Sequence, residues 1–246
     1  MSSTGPTGAI PSGVIRQTVT EQEKAEAMKA GASPKHYLNC RKAGAGHAEV
    51  LEAIGAGAEL YWYYLCRKAG ASHTEVIRAY KAGADLLDYA DCREVGPTHT
   101  EVLEAMEAGA HLYWYARCRK AGATHAEVLE ALGAGADLGW YGRCRKAGAT
   151  HAEVLEALGV GAALYWYAYC REVGATHPEA MALRLRGAGP SVHEAAKLAV
   201  PALRAVGDPN PTRALGETVA TLSLDWAGTA DELAATAVAL MAPRPT

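Results

Sequence analysis

From residue 20 to about residue 187, apolar and polar positions return in a fixed order, and the order repeats every 26 residues. The stretch CRKAGATHAEVLEALG stands at 118–133 and returns letter for letter at 144–159. Within one repeat the apolar positions recur at helical spacing, twice. Val128, Ala131, Leu132 and Gly135 fall at i, i+3, i+4 and i+7, and so do Leu112, Tyr115, Ala116 and Arg119. Two short helices per repeat follow. Each has about ten residues, too few to be stable alone in water, so stacking on neighbours must supply the core.

Start and stop signals frame these helices. Thr98 with Glu101, Thr124 with Glu127 and Thr150 with Glu153 spell a capping box at the first helix, a pattern that Glu49 and Glu75 extend to earlier repeats. Gly109, Gly135 and their equivalents suit the left-handed position that ends it. Glu59, Asp85 and Asp137 place an acid at the positive end of the second helix, and Gly70, Gly96 and Gly148 close it.

The terminal repeats are more polar. Lys24 stands where Val50 stands one repeat later, Pro34 replaces Leu60, and Arg184 takes the place of Leu158. An outermost repeat has no neighbour to cover it and needs such a face. The chain is therefore expected to be all-α: an α-solenoid of six 26-residue helix-turn-helix repeats plus a half repeat over 20–187. Residues 1–19 read as a flexible polar lead-in, without the basic and apolar regions of a secretory signal. The period fails at RGAGPS, and 188–246 read as three helices forming a small C-terminal cap or module.

Composition narrows the classes. Half the residues are apolar and Phe is absent, while Gly numbers 26, which points to small, close-packed interfaces. A net charge of −3 with both signs interspersed gives no basic stripe for nucleic acid. No run is long and apolar enough for a membrane span. A cytoplasmic location is expected.

Several residues with chemical potential recur with the repeat. The six cysteines, Cys40, Cys66, Cys92, Cys118, Cys144 and Cys170, are spaced 26 apart. Equivalent atoms in neighbouring repeats should lie about 9–10 Å apart, beyond the reach of a disulfide, so small semi-buried thiols are expected. One Cys and one His per repeat falls short of the four clustered ligands of structural zinc, and no metal or cofactor is expected. His47, His73, His99, His125 and His151 sit just after the helix cap. The simplest role is a neutral ring making one bond, and a pH sensor or ligand is the alternative. Arg67, Arg93, Arg119, Arg145 and Arg171 lie on the apolar side of the second helix. They can stack on Tyr, bond terminal carbonyls or pair with a capping Glu.

The Tyr at 37, 63, 89, 115, 141 and 167 keeps its place in every repeat and reads as core. The two positions before it vary. Tyr61, Trp62, Tyr113, Trp114, Trp140, Tyr165 and Trp166 form either a packing layer between second helices or an exposed aromatic stripe, broken at Asp88.

In architecture the repeat resembles the short αα-repeat families, TPR, Sel1-like and HEAT, although their periods are longer and their signature residues are missing. The consensus GATHAEVLEALGAGADLYWYARCRKA is similar to tandem repeats in uncharacterised proteins of high-GC bacteria. The resemblance carries no known activity; the solenoid surface itself points to a scaffold that binds a protein or peptide, and the residues offer no catalytic constellation. A binder of a small or elongated aromatic ligand along the Trp/Tyr stripe is the alternative. A metal-dependent or nucleic-acid-binding solenoid stands behind both.

Overall fold

The computed structural model describes residues 19–172, 174, 176–178, 180, 181, 232 and 235. The expected lead-in up to residue 18, the half repeat beyond 181 with Arg184, and the three C-terminal helices lie outside the described residues. The chain divides into two compact units, Met1–Leu103 and Glu104–Thr246.

Among the described residues there are twelve helices: α1 (Glu21–Lys29), α2 (Pro34–Lys42), α3 (His47–Gly55), α4 (Leu60–Lys68), α5 (His73–Lys81), α6 (Leu86–Val95), α7 (His99–Glu107), α8 (Leu112–Lys120), α9 (His125–Gly133), α10 (Leu138–Lys146), α11 (His151–Gly159) and α12 (Leu164–Glu172). They alternate as first and second helices of a helix–turn–helix repeat with the 26-residue period read from the sequence. This is the architecture of an α-solenoid.

The caps explain where the first helices begin. Thr20, Ser72, Thr124 and Thr150 accept from the backbone N–H three residues on, and the Glu there returns a bond to the cap N–H. Thr98 and Glu101 make the same exchange, at 3.2 and 2.7 Å. At Gly46, with no side chain, only the Glu49 half exists.

The helix ends follow from a paired turn. After α4, Gly70 N–H donates to Arg67 C=O and Ala71 N–H to Cys66 C=O, the two bonds of a Schellman motif. Gly70 can supply the turn because its φ is +86°, a region that a side chain disfavours. One turn differs. Pro97 stands where the other second helices have Ala71, Ala123 or Ala149, and it has no N–H to give. There α6 runs one residue further, and Gly96 N–H donates to Cys92 C=O instead.

The buried face is narrower than the sequence pattern predicts. In α9 Val128 and Ala131 are fully buried, but Leu132 is half-buried and Gly135 exposed. Gly135 lies beyond the helix end, in the left-handed turn, and Ala136 turns inward in its place. On the second helices Leu112, Tyr115 and Ala116 are buried as predicted, and Cys118 joins them. The expectation of semi-buried thiols fails at this point: Cys40, Cys66, Cys92, Cys118 and Cys144 have no exposed surface.

Backbones approach most closely between successive second helices: α2, α4 and α6 in the first unit, and α8, α10 and α12 in the second. Small residues permit this. A Cβ added at Gly142 would lie 3.3 Å from Cys118 Sγ. Ala90 and Ala168 already occupy the same register on α6 and α12. Gly142→Ala is thus expected to gain helix propensity of about 1 kcal/mol, offset in part by this tight approach. The melting temperature should rise by roughly 1–3 °C, and a fall on thermal unfolding would show that the α8–α10 contact cannot relax.

At the N-terminal end Lys24 pairs with Glu21 in the position where Val50 and Val76 are fully buried. The polar outer face read from the sequence is present on α1.

Candidate functional site

The core Tyr of each second helix is wholly buried at all six positions, 37, 63, 89, 115, 141 and 167. Its ring fills the core, and its hydroxyl meets the next repeat's His, the first residue of a first helix. Tyr Oη and His Nδ1 are 2.8–3.0 Å apart in every case, from Tyr37–His47 to Tyr167–His177.

The far side of the imidazole then meets a carboxylate. Nε2 of His47, His73, His125 and His151 stands 3.0–3.1 Å from Glu26, Glu52, Glu104 and Glu130. Nε2 of His177 is 3.3 Å from Glu156. In the neutral ring this places the proton on Nε2, donating to Glu, while Nδ1 accepts from the Tyr hydroxyl. Each such rung joins three consecutive helices. His47, His73, His125 and His151 therefore make two bonds rather than the one expected, whereas His99 keeps only the Tyr89 bond.

The sequence reading missed the carboxylate partner, although its signal was there. A Glu stands 21 residues before His47, His73, His125, His151 and His177, and Arg78 stands in that place before His99.

The repeated arginines take two of the roles expected of them. Arg67 donates to Gly44 C=O at 3.2 Å and pairs with Glu49 at 3.5 Å. Arg171 does the same with Gly148 and Glu153. Arg145 bonds Glu127, Gly122 C=O and the Tyr141 hydroxyl. Arg93 pairs with Glu75 but donates to Pro97 C=O, in the altered turn. Arg119 holds the same register in α8, half-buried. So Glu49, Glu75, Glu127 and Glu153 serve both as helix caps and as arginine partners, and Glu101 caps α7.

None of the six cysteines forms a disulfide. Cys66 and Cys118 donate through Sγ to Leu86 and Leu138 C=O, each at 3.2 Å, on the following second helix. Burial pushes the thiols of Cys40, Cys66, Cys118, Cys144 and Cys170 up to about 12. Cys66 and Cys118 bond backbone carbonyls, whereas His73 and His125 bond Tyr and Glu side chains. Among the described residues no group of three or more His, Cys, Asp or Glu side chains is arranged to hold a metal ion. No described helix is long and apolar enough to cross a membrane.

The varying aromatic positions divide. Tyr61, Tyr113 and Tyr165 are exposed, as is Leu87 in the same register. Trp114 is 40% exposed, Trp62 and Trp140 are half-buried, and Trp166 is buried at 3%. Each of the two arrangements weighed from the sequence holds for some of them. Trp114 leans on α10, where a Cβ at Gly139 would lie 3.4 Å from its ring. Trp140 packs against Tyr165 and Tyr169 of α12.

Cations cover these rings. Arg117 lies over Tyr113 and Trp114 and donates to the Tyr113 hydroxyl. Arg143 lies 4.7 Å from Trp140 and 4.9 Å from Tyr169 and is held by both carboxylate oxygens of Glu172. Arg117, Arg143, Tyr169 and Glu172 were not singled out in the sequence, because these positions vary between repeats. Tyr61 meets Trp62 edge-on and His36 of α2. In the second unit α8, α10 and α12 thus carry a semi-exposed row of aromatic rings with cations over several of them, and in the first unit α4 carries Tyr61 and Trp62. Comparison with protein-family models, curated proteins and solved structures finds no match to this chain.

Proposed function

We propose that the chain is a non-catalytic scaffold that binds a protein or peptide along the outer face of its second helices. The observation that carries this reading is the Tyr113–Trp114–Arg117 group. Two large rings and a guanidinium stay at the surface on a rigid helix, and such residues anchor interfaces. The repeated polar residues support a non-catalytic role. The Tyr, His, Glu, Arg and Cys side chains bond chiefly to one another or to backbone carbonyls, and they recur as structural parts of the repeat.

The alternative, an aromatic ligand stacked along the row, has less support. Tyr113 and Trp114 meet edge to face at 4.7 Å and share Arg117, so part of the ring surface that such a ligand would need is occupied.

The test is capture of partners from nuclease-treated lysate of the native cell, read by mass spectrometry. Wild-type chain is compared with Trp114→Ala and with Tyr113→Ser. A partner held by wild type should be lost from both variants, since truncating such an anchor costs about 2 kcal/mol or more, roughly thirtyfold in affinity. Equal capture by wild type and variants would overturn the assignment to this row. Quenching of Trp fluorescence by a small aromatic compound, with no protein captured, would favour the ligand reading.

A further inference from the structure

The Tyr–His–Glu rungs share one geometry, and one of them lacks its carboxylate. Tyr89 meets His99 Nδ1 at 3.0 Å as elsewhere. On the other side the residue is Arg78, where the neighbouring repeats have Glu52 and Glu104. His99 Nε2 is buried and has no hydrogen-bond partner. Arg78 is exposed, and its side chain forms no ion pair or hydrogen bond among the described residues.

Burial holds the His99 imidazole below its ordinary range; of the charges facing it, Glu75 favours a proton on the ring and Arg78 and Arg93 disfavour one. Glu75 is already engaged by Ser72 N–H and Arg93. His99 Nε2, and the Arg78 guanidinium whose charge acts on it, thus have no acceptor among the described residues.

We propose that Arg78 and His99 form a binding site for a carboxylate supplied from outside the chain, an acidic side chain or a free C-terminus of a peptide. The incoming carboxylate takes the position that Glu52 and Glu104 hold in the neighbouring rungs. It accepts from His99 Nε2–H and pairs with Arg78. Both bonds are charge-assisted, which is the stronger class of hydrogen bond. The site lies on the first helices and does not depend on the aromatic row of the second helices.

The test follows the imidazole resonances of the full chain labelled with 15N-histidine. Two probes are titrated: hexaglutamate blocked at both ends, and N-acetyl-hexaglycine with a free C-terminus. The expected result is a saturable shift of the His99 Nε2 signal while His73 and His125 stay in place. The probe that produces it tells a side-chain carboxylate from a terminal one. Arg78→Gln should weaken binding about tenfold. Arg78→Glu should abolish it, because the new side chain fills the rung as Glu52 does. That variant should fold and melt at least as high as wild type, since Glu is the residue at this place in neighbouring repeats.

No response of His99 to either probe overturns the proposal. So does an equal response in Arg78→Glu, or an equal response to inorganic phosphate, which would mark a general anion site. Trp114→Ala should leave the titration unchanged, so this site and the aromatic row can fail independently.

Discussion

Tyr141→Ala is expected to lower the unfolding free energy by about 3–5 kcal/mol, the range for removing a large buried ring. The ring is wholly buried, so truncation leaves a cavity, and two polar partners lose their bond. His151 Nδ1 loses the hydroxyl at 2.9 Å and Arg145 loses it at 3.3 Å. Tyr141→Phe separates these effects. It keeps the packing and removes only the hydroxyl, at a cost of about 1–2 kcal/mol. Urea denaturation of the three proteins gives the comparison. An Ala variant within 1 kcal/mol of wild type would mean that neighbouring repeats close over the gap, and the Tyr could then not be the central core element.

The cysteines should be almost inert in the folded chain. An ordinary thiol ionises near about 8.5, whereas burial pushes Cys40, Cys66, Cys118, Cys144 and Cys170 up to about 12. At pH 8 the thiolate fraction, and with it the rate of attack on an aromatic disulfide reagent, should fall roughly a thousandfold. Denatured chain should release six equivalents of thiol at once, and native chain almost none on the same timescale. Fast stoichiometric labelling of native protein would contradict the packing described for the second helices.

The same shifts set a pH dependence. A thiol with a raised folded pKa binds its proton more tightly when folded. Its contribution is complete below about 8.5, then declines as pH climbs toward about 12. The Tyr141 hydroxyl, pushed up to about 12 mainly by burial, acts in the same direction. Stability should therefore hold through neutral pH and decline in alkali.

The elements were legible in the sequence because each boundary is written in local chemistry. Thr124 with Glu127 states a start and Gly122 states a stop, and neither needs a distant partner. The core Tyr was legible from its invariance within the repeat. Two features were not. The depth of the cysteines depends on how closely second helices approach, and that is set by Ala90, Gly142 and Ala168 on the facing helix, not by the cysteine's own neighbourhood. The Glu52–His73 bond joins residues 21 apart, in different repeats, and a helical wheel drawn for one helix assigns Glu52 to solvent. The aromatic row lay between the two cases. Its members were visible, but whether Trp114 or Trp166 is covered depends on what each meets beyond its own helix.

The bonds between neighbours carry a consequence for the length of the chain. Cys118 reaches a residue 20 ahead, His151 one 21 behind and Arg145 one 23 behind. The Arg143–Glu172 bond, 29 residues long, also stays within adjacent units. Residues 118–133 are also identical to 144–159. Removing 26 residues between these copies rejoins the chain in an unchanged local sequence, with Cys118 facing Leu164 as Cys144 now does. Duplicating them is equally silent at the join. The number of units is thus a quantity that unequal recombination between the matching stretches can change without redesigning the Cys, His and Arg bonds that every unit repeats. The departures at Arg78 and Pro97, which no other repeat shares, are the marks by which one place along such a chain stays distinguishable from the rest.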